Sequence, residues 1–174
     1  MSDLPGGEVT VRPWEEADLW LLGRLLGDPA MMRHLGGPES PDSIRSRHER
    51  YLASNPATNG LFTILLGEDA VGWVGYWESD WQGQAVWECG WHVLPEAQGR
   101  GVATAGTALM LERVRTHGVH DHIHAFPSVD NAASNALCRR LEFELLGEVD
   151  VEYPRGSMMR ANDWCLDLRV GRSG

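Results

Sequence analysis

The chain alternates between segments with apolar residues at helical spacing and short apolar runs bounded by turn residues. Glu8 to Arg12 predicts a short strand. From Trp14 to Leu26, the residues Ala17, Leu21, Leu22, Leu25 and Leu26 recur at helical spacing and predict an amphipathic helix. Pro29 and Gly36-Gly37-Pro38 bracket a second, shorter helix. Ser40 to Ala53 predicts a polar helix, with Ser40 as its cap and Pro41 in its first turn. Leu61–Leu66 and Val71–Trp77 predict two strands around the turn Gly67-Glu68-Asp69, and Ala85–Leu94 adds a third to this meander. Gly101 to His117 is the strongest helical segment, with Gly118 as its stop. Asp121–Phe126 predicts a strand and Asn131–Leu141 a helix; Phe143–Tyr153 and Asn162–Val170 can pair as a closing hairpin. This order gives an α+β, or mixed α/β, sheet rather than a doubly wound parallel one.

Length adds that residues 1–174 suit a single domain with a real core. No internal repeat or linker is evident. A hydrophobic fraction of 43% excludes a disordered chain. The formal net charge of -10 argues against nucleic-acid binding. It is compatible with a cationic acceptor, although most acidic proteins are simply soluble. Cys89, Cys138 and Cys165 are far apart and form no CxxC pair, so a reducing cytoplasm is the simplest home. Met1 to Val11 lacks the basic and apolar regions of a signal peptide. No apolar run approaches membrane-spanning length, so no membrane partner is expected.

The main candidate for chemistry is Gln98-Gly99-Arg100-Gly101-Val102-Ala103, which follows the run Val86–Val93 and opens a helix of small residues. Unpaired N–H groups at a helix start, with the positive end of its dipole, suit a phosphate or pyrophosphate. Two glycines let the backbone approach it. The spacing has two owners. Gly99-x-Gly101-x-x-Thr104 approximates the dinucleotide fingerprint, with Asp121 near the ribose-binding offset. That fingerprint belongs in repeated βαβ units, whereas here an antiparallel meander precedes it. A Walker loop fails, because no Gly-Lys-Ser/Thr is present.

Gln98-x-x-Gly101-x-Ala103 resembles the acyl-CoA pyrophosphate loop of the GNAT N-acetyltransferase superfamily, Arg/Gln-x-x-Gly-x-Gly/Ala. Trp87 to Glu96 is similar to that family's fourth strand and following turn. Asp130 to Phe143 resembles its Asn-x-x-Ser…Leu-Gly-Phe helix. This block and the opening Val9 to Asp18 look closest to the branch that acetylates N-termini of ribosomal proteins. The resemblance implies a twisted, mostly antiparallel sheet of about seven strands flanked by about four helices. It implies acetyl-CoA as cosubstrate, with Gln98, Gly99, Arg100, Gly101, Val102, Ala103 and Thr104 holding the pyrophosphate. The backbone at His92, Val93 and Leu94 would pair with the pantetheine arm, Asn131 would bond it, and Ser134 would sit near the thioester sulfur. No metal is implied. Glu142 departs from the pattern: the family usually has Gly there, ending the helix at positive φ, so a Glu costs ~1 kcal/mol.

Acetyl transfer to an amine needs a base, oxyanion donors and, for some enzymes, an acid for the thiolate. Alternation puts Glu88, Gly90 and His92 on one strand face, and apolar neighbours would raise the Glu88 pKa. The competing reading of Glu88 is a carboxylate paired across the sheet with Arg or Lys. Glu152 is a second candidate base, or a solvated strand residue. Ser134 either donates to the departing sulfur or bonds its own helix turn. Cys138 stands where many members carry a Tyr acid, or is inert packing. His120, His122 and His124 alternate along a strand, but no carboxylate at ligand spacing completes a metal site. Trp73, Trp77, Trp81, Trp87 and Trp91 are mostly packing residues, with Trp81 and one or two others free to line an acceptor pocket. Ala30 to Arg50 would lie over the acceptor side. Exposed aromatic rings on that side have a second reading, a homodimer contact. The implied acceptor is a peptide or protein N-terminus or a small cationic amine. A reading of a different class is a non-catalytic acyl-CoA-binding or regulatory module on the same fold.

Overall fold

The computed structural model describes residues 3–4 and 7–170. Its strands are β1 (Asp3–Leu4), β2 (Gly7–Pro13), β3 (Asn59–Leu66), β4 (Asp69–Trp81), β5 (Gln84–Val93), β6 (His122–Ala125), β7 (Glu144–Glu152) and β8 (Met158–Asp167). Its helices are α1 (Leu19–Leu26), α2 (Pro41–Leu52), α3 (Val102–Arg115) and α4 (Ala132–Arg140). One sheet runs β1-β2-β3-β4-β5-β6-β8-β7. Every neighbouring pair is antiparallel except β5 with β6. The two-residue β1 extends the expected seven strands at one edge. The repeated βαβ units that a dinucleotide site needs are not part of this topology. The leader reading of Met1–Val11 falls partly on residues 1–2 and 5–6, outside the described residues.

Strand alternation divides the apolar residues into two cores, one on each sheet face. Val74, Tyr76, Trp87, Cys89 and Ile123 pack against Val102, Met110 and Val114 of α3 and Cys138 of α4. On the other face, Leu61 and Trp73 pack against Leu21, Leu22, Leu25 and Leu26 of α1 and Ile44 and Tyr51 of α2. Leu21, Leu22, Leu25 and Leu26 are no more than 2% exposed, so each contributes ~2 kcal/mol through burial. Ser40 caps α2 as expected, its hydroxyl oxygen accepting from Ser43 N–H at 3.2 Å.

Two helical expectations are corrected. Trp14–Leu26 does not form one helix. Glu16–Asp18 is a 3-10 turn, and α1 begins only at Leu19. The Asp18 carboxylate is drawn backwards. It accepts from Arg12 Nη1 (2.7 Å) and Nη2 (2.8 Å), Thr63 Oγ1 (2.7 Å) and Glu15 N–H (2.9 Å). Between Pro29 and Gly36 the chain makes hydrogen-bonded turns instead of a helix, and Gly36 and Gly37 take φ of 87° and 94°. So short a segment cannot offset the cost of helix nucleation.

Burial alone would raise the Asp18 pKa, but the bonds from Arg12, Thr63 and Glu15 together hold it below the usual carboxylate range. A lowered native pKa stabilises the fold above the unfolded pKa, and that contribution is lost as pH falls through the native one. Asp18→Asn is therefore expected to cost ~2–3 kcal/mol in urea unfolding at neutral pH. The gap from the parent should close only under strongly acidic conditions.

Helix α4 ends with Glu142 at φ 62°. Phe143 N–H reaches Cys138 C=O at 3.0 Å, and Glu142 N–H reaches Arg139 C=O at 3.1 Å. This is a Schellman ending with a non-glycine residue in its left-handed position. Glu142→Gly should raise stability by about 1 kcal/mol in thermal or urea unfolding.

Candidate active site

Strands β5 and β6 share only two register pairs among the described residues, Trp87 with Ile123 and Glu88 with His124. Beyond Glu88, β5 continues to Val93 paired with β4 alone. Its other edge borders a cavity of about 1560 Å³. The cavity is lined by Gln98, Gly99 and Gly101, by Asn131 and Ser134, and by Trp77, Trp81 and Glu88. Its volume exceeds that of an ordinary small-ligand pocket and suits two reactants together.

Which β5 backbone groups face the cavity follows from the ladder. Leu94 N–H donates to Val71 C=O at 2.8 Å, so Leu94 turns toward β4. Leu94 is also 2% exposed and sits in the α1/α2 core. In an antiparallel ladder the residues bonded to one neighbour alternate with those facing away. His92 therefore also turns its backbone toward β4, while Trp91 and Val93 face the open edge. This corrects the expectation that the His92 and Leu94 backbones are open to a pantetheine arm; the Val93 backbone is the one that faces the cavity. The Val93 C=O already accepts from Gln98 Nε2 at 2.9 Å, which leaves its N–H for a ligand. Gln98 thus braces the strand end through its side chain.

The turn expected to hold phosphate is built on two left-handed glycines. Gly99 and Gly101 adopt φ of 71° and 78°. Gly101 is the N-cap of α3 and supplies no side-chain cap, so the first-turn N–H groups remain directed outward. Gln98, Gly99, Gly101, Val102, Ala103 and Thr104 line the cavity, and Arg100 lies in the turn between the two glycines. Across from them, Asn131 caps α4, its Oδ1 accepting from Ser134 N–H at 3.1 Å. That bond occupies the Asn131 oxygen and leaves its amide NH₂ to act as a donor. Ser134 is half-buried and lines the cavity.

Glu88 and His92 share a sheet face, opposite Trp77 and Trp73 of β4. A Cβ at Gly90 would lie 3.1 Å from the Trp77 ring, so glycine lets that ring close over the strand beside Glu88. Burial raises the Glu88 pKa; hydrogen bonds from Ser79 and Trp77 and the charge of His124 only partly oppose it. None of these neighbours is an Arg or Lys. Burial, and secondarily the charge of Arg47, push the His92 pKa down to about 4. A neutral imidazole that resists protonation this strongly is the poorer base of the two.

Glu152 ends β7 at the cavity rim. It is exposed, and its Oε1 accepts from Gly156 N–H at 2.6 Å, which fastens the hairpin loop after Tyr153. Cys138 lies in the α3/α4 core, and burial pushes its thiol up to about 12, so it cannot replace a Tyr acid. The three histidines diverge. His120 Nε2 bonds Glu78 Oε1 at 2.9 Å, and His124 Nδ1 bonds Asp163 Oδ1 at 2.7 Å. Among the described residues no group of three His, Cys, Asp or Glu could hold a metal ion. Trp73, Trp77, Trp81 and Trp91 line the cavity, whereas Trp87 is fully buried.

Sequence reasoning put Ala30 to Arg50 over the acceptor side but singled out neither of two α2 side chains in the cavity wall. Arg47 and Tyr51, one helical turn apart on α2, line the cavity. Burial opposes the Arg47 charge, but its ion pair with Glu39 holds the guanidinium protonated. The i, i+4 spacing of Arg47 and Tyr51 in an otherwise polar helix was the available signal. Sequence reasoning also missed Asp163, which lies 39 residues from His124.

The acetyltransferase (GNAT) domain family matches residues 8–144. Comparison with curated proteins by sequence gives no match. Several solved structures share the fold. The Salmonella typhimurium acetyltransferase that modifies the N-terminal serine of 50S ribosomal subunit protein L7/L12 superposes with a TM-score of 0.75 at 20% identity, over 91% of this chain and 94% of that one. Mycobacterium smegmatis RimJ in complex with CoA-disulfide gives 0.77 at 19% identity, over 98% and 87%. The Salmonella typhimurium putative acetyltransferase yncA with acetyl-CoA gives 0.74 at 18% identity, over 93% and 95%. The family match spans most of the chain, and the chain belongs to the GNAT acetyltransferase domain family.

Proposed function

We propose that this chain transfers an acetyl group from acetyl-CoA directly to a primary amine. The observation that carries this reading is the open edge of β5. It joins the Gly99–Gly101 turn to the Glu88 carboxylate within one cavity. The turn and the first N–H groups of α3 would hold the pyrophosphate. Trp91 and Val93 N–H and the Asn131 amide would hold the arm. Acetyl-CoA supplies an activated acyl thioester. Glu88 takes the proton from the acceptor ammonium, which makes the amine nucleophilic. Backbone donors on the β5 edge offset the charge that grows on the acyl oxygen. The Ser134 hydroxyl donates to the departing sulfur. Glu152 is kept as a rim carboxylate near the acceptor, with Glu88 as the favoured base.

The acceptor we infer is a peptide or protein N-terminus, or a small cationic amine. Asp80, Glu88, Asp150 and Glu152 line the cavity, as do the rings of Trp77 and Trp81. Carboxylates and indole faces both attract an ammonium group. The ribosomal-protein enzyme among the structural neighbours acts on such an amine. Three free cysteines agree with a reducing cytoplasm, and among the described residues no helix is long and apolar enough to cross a membrane. A non-catalytic acyl-CoA module accounts less well for Glu88, because mere binding gives no reason to bury a carboxylate without an Arg or Lys partner. A panel of amines with thiol detection of released CoA separates the two. Amine-dependent CoA release supports catalysis. Tight CoA binding without release for any amine supports the module.

A further inference from the structure

Behind Glu88 lies a buried polar chain that the acetyl-transfer reading does not use. His124 is the register partner of Glu88 across the β5–β6 pair. It is 6% exposed, and its Nδ1 lies 2.7 Å from Asp163 Oδ1. Asp163 on β8 is 3% exposed, and its second oxygen accepts from Trp81 Nε1 at 2.9 Å. Phe126 stacks on His124 and also packs against Trp81, which closes the cluster from the cavity side. A carboxylate this deep is retained where it orients something. Here it fixes an imidazole against the strand position that carries the base.

We propose that His124, held by Asp163, is a positioning residue that sets the electrostatic field on the Glu88 carboxylate. The inference rests on the reading of Glu88 as the base. Asp163 fixes the tautomer by accepting Nδ1–H. The charge of His124 opposes the upward push of burial on the Glu88 carboxylate. The other charged groups and histidines lining this cavity are Arg33 and His34 before α2, Arg47 and Arg50 on α2, Asp80 on β4, His92 on β5, Arg140 on α4, and Asp150 and Glu152 on β7. None of them is a register partner of Glu88. The arrangement lets Glu88 remain a carboxylate at lower pH than burial alone would permit.

The test is the pH dependence of kcat/KM for His124→Asn and Asp163→Asn, with the KM for acetyl-CoA measured alongside. Both variants should move the acid limb upward by about one pH unit, with the acetyl-CoA KM unchanged. An unmoved limb in folded variants, with only a uniform loss of kcat, overturns the proposal and leaves the pair a structural one. A measurement that needs no β6 or β8 substitution guards against misfolding. The His124 imidazole is titrated by nitrogen-detected NMR in the parent and in Glu88→Gln. Coupling predicts a lower His124 midpoint in Glu88→Gln, and an identical midpoint overturns the proposal. If Glu88→Gln keeps full turnover while the midpoint shifts, the base assignment fails and the His124–Glu88 pairing stands.

Discussion

Glu88→Gln should lower kcat/KM for acetyl transfer by about 10²–10⁴-fold, the range for losing a general base. CoA affinity, measured by calorimetry, should stay within about twofold, because residue 88 lies in the middle of β5 and the Gly99–Gly101 turn comes only after that strand ends. The pH profile of the parent enzyme has a defined direction. Burial raises the Glu88 pKa above the ordinary carboxylate value, so kcat/KM falls as pH drops through that raised value. Glu88→Gln should abolish this limb. The stability sign runs the other way. A carboxyl group with a raised native pKa stabilises the fold only when protonated, and that contribution is lost as pH rises through and above the unfolded value. At neutral pH the parent holds a poorly solvated charge that the amide lacks. The Tm of Glu88→Gln should therefore equal or exceed that of the parent. A large fall in Tm would mean that Glu88 serves the fold rather than the reaction.

Gly101→Val should weaken CoA binding at least about tenfold, equivalent to about 1.4 kcal/mol. Gly101 holds φ 78° as the N-cap of α3. A β-branched residue is a strong outlier in that conformation. The turn would have to open to relieve the strain, which redirects the N–H groups of Val102, Ala103 and Thr104. Gly99→Ala makes the matched control. Gly99 also has positive φ, but a Cβ there meets nothing within 4 Å. Its strain cost is about 1 kcal/mol, and its effect on CoA affinity should be the smaller of the two. Because the turn is remote from Glu88, the pH limb of residual activity in either variant should remain in place. Equal CoA affinity in Gly101→Val and the parent would remove the turn from the binding site.

The local signals in this sequence were direct. Ser40 before Pro41 marked a helix start because a serine cap and a first-turn proline are both local devices. The three meander strands were legible because two-residue alternation and turn glycines are also local. The positive φ at Glu142 was legible as a departure from a family pattern. What failed depended on partners far along the chain. Asp18 interrupts the first helix because Arg12 and Thr63 claim its carboxylate, and Thr63 comes 45 residues later. The β5 backbone that faces the cavity was misassigned at His92 and Leu94, because composition does not reveal which ladder positions bond to β4. The His124–Asp163 pair was invisible for the same reason. An alternating histidine pattern shows a face, but not the carboxylate that β8 brings beside it.

The central claim is acetyl transfer from acetyl-CoA to an amine within the β5–β6 wedge, with Glu88 as base. Its most direct test is mass spectrometry of an N-terminally unblocked peptide incubated with acetyl-CoA and either the parent protein or Glu88→Gln, with released CoA quantified in the same reaction. The expected result is one acetyl group on the α-amine, an equal amount of released CoA, and loss of both in Glu88→Gln. Acetylation undiminished by Glu88→Gln, or CoA release without an acetylated amine, would contradict it.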